Sequence, residues 1–278
     1  MIEVRRWSRA DTVPFLRVPT AADDKYSRGV VALRTGSEAY PGAAVLGVEA
    51  AWRAGAGFVR YVGEGRAADA VIARRPETVT GTDIGRTRVG AWVIGSGTDA
   101  ANRTDAERSA LLEILQGEAP VVVDAGALDL AGGTAAPTLI TPHAGEFARL
   151  MDRLQADPSG DRASTVARAA AALDAVVLLK GSETLIAGPD GSVLSVAAGT
   201  GWLSTAGTGD VLAGILGSLV AANPHARLAE TAAAGAWLHG YAARIAAGVA
   251  RKGSGHGHPI VAMDVAEALP AAVADLLS

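Results

Sequence analysis

The chain contains no cysteine in 278 residues. That absence excludes disulfides, thiolate-bound metal sites and a cysteine nucleophile. An apolar leader is also missing: Met1-Ile2-Glu3-Val4-Arg5-Arg6-Trp7-Ser8 is polar and has no h-region, so no signal peptide is read. Long hydrophobic runs are absent too. The stretch Val211 to Ala222 is too short to span a bilayer and is interrupted by Gly214, Gly217 and Ser218. Neither charge sign dominates. With 25 basic and 29 acidic residues the net charge is −4, which gives no global attraction for nucleic acid or an anionic membrane. A cytoplasmic location is the expectation that fits these absences.

What is present favours a packed α/β enzyme. Hydrophobic residues make up 49% and charged residues 19%, enough to bury a substantial core. Short β-branched runs alternate with alanine-rich segments of helical period. The strand candidates are Val30 to Leu33, Phe58 to Val62, Ala91 to Ile94, Pro120 to Val123, Thr138 to Ile140 and Ala175 to Leu179. Most are continuous apolar runs, as in strands covered on both faces of a parallel sheet. Glu183 to Ala187, a turn at Gly188-Pro189-Asp190-Gly191 and Ser192 to Val196 read as a hairpin. Helices are expected at 43–54, 105–116, 145–151, 163–173, 211–222, 228–247 and 265–277. This alternation predicts a βαβ architecture with helices on both faces, in one domain spanning 1–278. Mobile segments are expected at 155–161 and 251–259.

The segment Gly199-Thr200-Gly201-Trp202-Leu203-Ser204-Thr205-Ala206-Gly207-Thr208-Gly209-Asp210 runs into the helix that starts Val211-Leu212-Ala213. Glycines allow backbone N–H groups close to an anion, and the helix adds unpaired donors and the positive end of its dipole. With phosphates bound, the Asp210 carboxylate is placed to take a proton from a substrate hydroxyl or to help organise a metal. The bland reading is a glycine-rich turn with Asp210 as a helix-end residue. The loop is not a Walker A motif, since no Lys-Ser/Thr follows the glycine. It is not a Rossmann fingerprint either, since it lies near the C-terminus.

Other strand ends carry chemistry as well. Thr141-Pro142-His143-Ala144-Gly145-Glu146 closes one strand and opens a helix, and Leu179-Lys180-Gly181-Ser182-Glu183-Thr184 leaves another. Gly95-Ser96-Gly97-Thr98, Asp124-Ala125-Gly126 and Tyr40-Pro41-Gly42-Ala43 complete the set. Each alone reads as a plain turn; together they describe a cleft along one sheet edge. His256 and His258 read as part of a flexible loop rather than a metal site, and His239 as helix packing.

These segments, in this order, resemble the ADP-dependent NAD(P)H-hydrate dehydratases of the ribokinase-like superfamily, from about Lys25 to the C-terminus. Lys25-Tyr26-Ser27-Arg28-Gly29-Val30-Val31, Arg53-Ala54-Gly55-Ala56-Gly57 and Ala206-Gly207-Thr208-Gly209-Asp210-Val211-Leu212-Ala213-Gly214 belong to the same match. The resemblance implies a ribokinase-like three-layer α/β/α fold with a mostly parallel central sheet. It implies dehydration of the S epimer of hydrated NADH or NADPH, with ADP (or ATP) as co-substrate and Mg²⁺ bridging the phosphates. By resemblance Asp210 is the base; Gly207, Thr208 and Gly209 form the anion hole; and Lys180, Gly181, Ser182, Glu183, Thr184 and Gly209 hold the adenine nucleotide. Ala43, Gly97, His143 and Asp210 line the hydrated-dinucleotide site. A homo-oligomer, tetrameric in form, and a functional link to a separate NAD(P)H-hydrate epimerase are implied too, since about 25 leading residues cannot make a fused epimerase domain.

Two departures from the family pattern stand out. The usual Gly-Pro-Gly-Leu-Gly turn appears as Gly95-Ser96-Gly97-Thr98-Asp99, and Gly126 replaces the second aspartate of Asp-Ala-Asp-Ala-Leu. A ribokinase-like kinase of a small vitamin-precursor alcohol, or a regulator that binds nucleotide without catalysis, would share the Asp210 loop.

Overall fold

The computed structural model describes residues 2–157, 159–250 and 255–278. One ten-stranded sheet runs through them. Its strands are β1 (Val4–Arg6), β2 (Val30–Arg34), β3 (Phe58–Val62), β4 (Val79–Gly81), β5 (Ala91–Ile94), β6 (Val121–Val123), β7 (Thr138–Ile140), β8 (Val176–Leu179), β9 (Thr184–Ala187) and β10 (Val193–Val196). The order across the sheet is β1-β10-β9-β8-β7-β6-β5-β2-β3-β4. Only β9 runs against the others, because the hairpin after β8 turns the chain back and then forward again.

The helices are α1 (Arg9–Thr12), α2 (Pro41–Arg53), α3 (Gly65–Arg74), α4 (Asp105–Leu115), α5 (Ala144–Arg153), α6 (Arg162–Leu173), α7 (Thr208–Ala222), α8 (Leu228–Ala246) and α9 (Ala262–Leu277). The strand residues alternate between two apolar cores, as the pleat requires. Val31, Leu33, Val93, Val122 and Leu178 face the core formed with α2, α3, α7, α8 and α9. Ala32, Trp92, Ile94, Val123 and Leu179 face the core formed with α4, α5 and α6. The result is the expected α/β/α sandwich, and the six strand readings and the hairpin all fall on observed strands.

Four of these strands and helices were not foreseen. β1 and β4 are three-residue edge strands, α1 is a four-residue helix, and α3 is a short helix with few buried residues. The segment 155–161 has one residue, Pro158, outside the described residues; Arg168 Nη2 donates to the Asp157 carbonyl at 2.8 Å and to that of Ser159 at 2.5 Å. Of 251–259, residues 251–254 lie outside the described residues.

The topology places the functional edge. From β2 the chain steps outward to β3 and β4, then returns to β5 on the other side of β2 and continues through β6, β7 and β8. The direction therefore reverses between β2 and β5, and the C-terminal ends of strands at such a reversal form the ligand crevice of open α/β sheets. α2 and α7 cross in close contact at Gly47 and Gly214, which brings the first turn of α7 beside Leu46 and Gly47 in the middle of α2.

Candidate active site

Four adjacent strands each deliver a residue to one hydrogen-bonded network. Asp124 follows β6 and is 3% exposed. Its Oδ2 accepts from Ser96 Oγ (2.9 Å), just past β5. Its Oδ1 accepts from Thr141 Oγ1 (2.7 Å), just past β7, and from Lys180 Nζ (3.0 Å), just past β8. Lys180 Nζ also lies 3.8 Å from Glu146 Oε2. A buried carboxylate needs such partners to remain charged.

α7 points its N-terminus at this network. Gly207 is the N-cap, with φ +88°. A Cβ there would lie 2.6 Å from Leu46 Cδ1, so both the conformation and the space call for glycine. The Thr208 hydroxyl turns back to the Leu203 and Thr205 carbonyls, both at 3.1 Å. The first helical bond runs from Val211 N–H to the Gly207 carbonyl. The N–H groups of Thr208, Gly209 and Asp210 are thus left for an anion. Lys180 Nζ stands 3.5 Å from where a Cβ on Gly209 would be, so cation and helix end face the same place.

Asp210 occupies the first turn of α7. Burial, then repulsion from the Asp124 carboxylate, pushes its carboxyl up to about 6; Lys180 opposes them. A helix N-terminus alone favours the ionised form, so burial and the second carboxylate outweigh it here. A carboxyl poised near 6 is ionised at neutral pH yet basic enough to take a proton.

Beside the α7 N-terminus lies a cavity of about 560 Å³, over the ends of β8 and β10 and against α8. Lys180, Gly181, Ser182, Thr184, Gly209 and His143 line its polar side, and Val196, Ala198, Leu203, Leu212 and Ala236 its apolar side. Glu183, expected with them, does not line it; its carbonyl accepts from Arg162 Nη1 (2.6 Å). His143 has a structural task as well: its Nδ1 accepts from Gly145 N–H at 3.0 Å and caps α5, in a box closed by Glu146. His239 is packed in α8 as expected, but it also forms a wall of the cavity. Burial pushes it down to about 4, so it is neutral at pH 7. Its Nε2 has no hydrogen-bond partner among the described residues.

Ala43 and Gly97 lie outside this cavity, at the reversal between β2 and β5, where a Cβ on Gly97 would fall on the Ala43 methyl. The Asp210 carbonyl packs against Gly47, one turn along α2 from Ala43. The departures Thr98 and Gly126 touch: the Thr98 carbonyl fills the space that a side chain at 126 would need. Asp99 caps a short 3₁₀ turn by accepting from Ala101 N–H (3.0 Å). No cluster of three metal-ligating side chains occurs among the described residues, the histidines at 256 and 258 included. Among them no helix is long and apolar enough to cross a membrane.

The sequence profile described as NAD(P)H-hydrate dehydratase matches residues 31–255. A bifunctional NAD(P)H-hydrate repair enzyme, Nnr, of Mycobacterium tuberculosis is 46% identical over 212 residues, 73% of this chain and 43% of that protein. The chain thus spans less than half the length of that relative. An ADP-dependent (S)-NAD(P)H-hydrate dehydratase of Neisseria meningitidis is 36% identical over 231 residues, 78% of this chain and 77% of that protein. An ADP/ATP-dependent NAD(P)H-hydrate dehydratase of Bacillus subtilis, crystallised with ATP and Mg²⁺, superposes with a TM-score of 0.84 at 27% identity, covering 99% of this chain and 100% of that one.

Proposed function

The chain belongs to the NAD(P)H-hydrate dehydratase family, and we propose that it restores NADH and NADPH from the S epimers of their hydrates, with ADP converted to AMP and phosphate. The observation that carries the reading is Asp210: a carboxyl poised near 6, in the first turn of a helix whose free N–H groups meet Lys180 beside a nucleotide-sized cavity. In this reading the adenine nucleotide lies along Lys180 to Thr184, with its terminal phosphate on the N–H groups of Gly207 to Gly209. Asp210 takes the proton of the ring hydroxyl as that oxygen attacks the terminal phosphorus. AMP leaves with the bridging oxygen. Loss of phosphate together with a proton from the neighbouring ring carbon then restores the double bond, and the helix N-terminus and Lys180 stabilise the charge on the transferring group.

The donor set fits a magnesium ion carried on the phosphates. Asp124 and Glu146 are the carboxylates gathered around Lys180, and Mg²⁺ binds through one or two carboxylates plus phosphate oxygens rather than in an all-protein cage. When bound it neutralises phosphate charge. The same reading makes the protein a cytoplasmic homotetramer whose S-epimer substrate is supplied by an epimerase activity; the bifunctional relatives support that link.

The test is incubation with hydrated NADH, ADP and Mg²⁺, followed at the absorbance of NADH. Recovery of NADH with one AMP released per turnover supports the reading. Absence of recovery together with phosphorylation of a thiazole or pyrimidine alcohol would make it a small-molecule kinase instead.

A further inference from the structure

A second cavity, of about 420 Å³, lies on the other side of the β2/β5 reversal, over the ends of β2, β3 and β5. It begins where Ala43 and Gly97 end: Gly36 and Thr98 belong to its lining, and Gly36 N–H donates to the Ser96 carbonyl at 2.7 Å. Thr35, 3% exposed, lines it too, and its Oγ1 is buried with no hydrogen-bond partner among the described residues. Tyr61 Oη donates to the Thr35 carbonyl (2.7 Å) and fixes that wall.

The charges here are one-sided. Glu38, Glu64, Asp99 and Glu107 face the cavity, against Arg34 and Arg103. Both arginines are already committed. Arg34 Nε donates to Glu107 Oε1 at 3.0 Å. Arg103, with a side chain 5% exposed, holds Asp129 with Nη1 at 2.9 Å and Nη2 at 2.7 Å. Glu64 is exposed and its side chain makes no cap bond to α3.

This inference rests on the dehydratase reading. A dinucleotide is two nucleosides joined by a pyrophosphate. If the hydrated ring lies at Asp210 and the adenine nucleotide fills the first cavity, the second nucleoside must extend the other way, past Ala43 and Gly97. We propose that the second cavity holds the adenosine end of the hydrated dinucleotide and selects a free ribose diol, so that hydrated NADH is preferred over hydrated NADPH. Carboxylates accept hydrogen bonds from ribose hydroxyls, whereas a 2′-phosphate is received by an uncommitted arginine, which this lining does not offer.

The experiment has two readouts on the whole protein: KM for both hydrates in the dehydration assay, and calorimetric binding of NADH and NADPH. Wild type is expected to favour the unphosphorylated dinucleotide about tenfold in both. Glu64→Arg is expected to narrow that ratio by strengthening binding of the phosphorylated one alone. A wild-type ratio near one overturns the proposal, and so does a preference that Glu64→Arg leaves unmoved. Discrimination in binding without dehydration of either hydrate would refute the dehydratase reading while leaving the cavity assigned to a dinucleotide.

Discussion

Lys180 Nζ donates to Asp124 Oδ1 across 3.0 Å, and the same ammonium faces the first turn of α7 at Gly209. One cation thus serves a buried carboxylate, the phosphate position and the carboxyl of Asp210. Lys180→Met is expected to raise the KM for ADP at least tenfold, since a charged hydrogen bond contributes about 1.5–3 kcal/mol. Because Lys180 lowers the Asp210 carboxyl, its loss should also move the acid limb of the pH–rate profile above 6. Steady-state kinetics between pH 5 and 8, on the order of half a unit apart, reads both effects.

The contact between Thr98 and Gly126 predicts how the two departures from the family pattern depend on each other. Gly126→Asp restores the usual residue but drives a Cβ into the Thr98 carbonyl. It is expected to destabilise by about 2 kcal/mol, the range for overpacking a tight site. Thermal melting of Gly126→Asp checks this; an unchanged midpoint would show that the 95–99 turn yields freely.

Glu49 anchors the scaffold away from the chemistry. It is fully buried in α2 and accepts from Arg53 Nε (2.8 Å), Arg74 Nε (3.3 Å) and Arg75. Burial opposes its charge, yet the hydrogen bonds from Arg75 and Arg53 and the surrounding arginines hold its carboxyl below the usual range. A depressed carboxyl contributes stability above its unfolded pKa and loses it as pH falls through the folded one. Glu49→Ala is expected to cost about 3 kcal/mol at pH 7, with less acid sensitivity than wild type and an unchanged KM. Urea unfolding at pH 7 and in the acid range measures it.

Asp210 behaves in the opposite sense. Its folded carboxyl sits at about 6, above an unfolded value near 3.9. Such a group stabilises most when protonated, below the unfolded value, and that contribution is lost as pH rises through about 6. Asp210→Asn should therefore be more stable than wild type at pH 7, by about 2 kcal/mol, and no more stable at pH 4. Melting curves at the two pH values decide this. The dehydration rate of wild type should fall as pH drops below 6, as the base takes up a proton.

Much of this was legible in the sequence for physical reasons. β2, β5, β6 and β8 are covered on both faces, so their apolar runs stand out, and glycines, Asp124, His143 and Lys180 mark where those strands end. β1, with Arg5 and Arg6, and β4 lie at the sheet edges, where polar residues face solvent and the periodicity fades. His239 read as packing because an interior helix position hides which neighbour it faces; only the fold brings α8 to the cavity wall. The pairing of Thr98 with Gly126, and of Glu49 with arginines from two helices, depends on contacts that spacing along the chain does not encode.

The most direct measurement is turnover of hydrated NADH by Asp210→Asn, with ADP binding measured by calorimetry on the same sample. The base role requires turnover to fall by at least about a hundredfold while ADP binds within a few-fold of wild type. Turnover close to wild type in a folded, ADP-binding Asp210→Asn protein would contradict it.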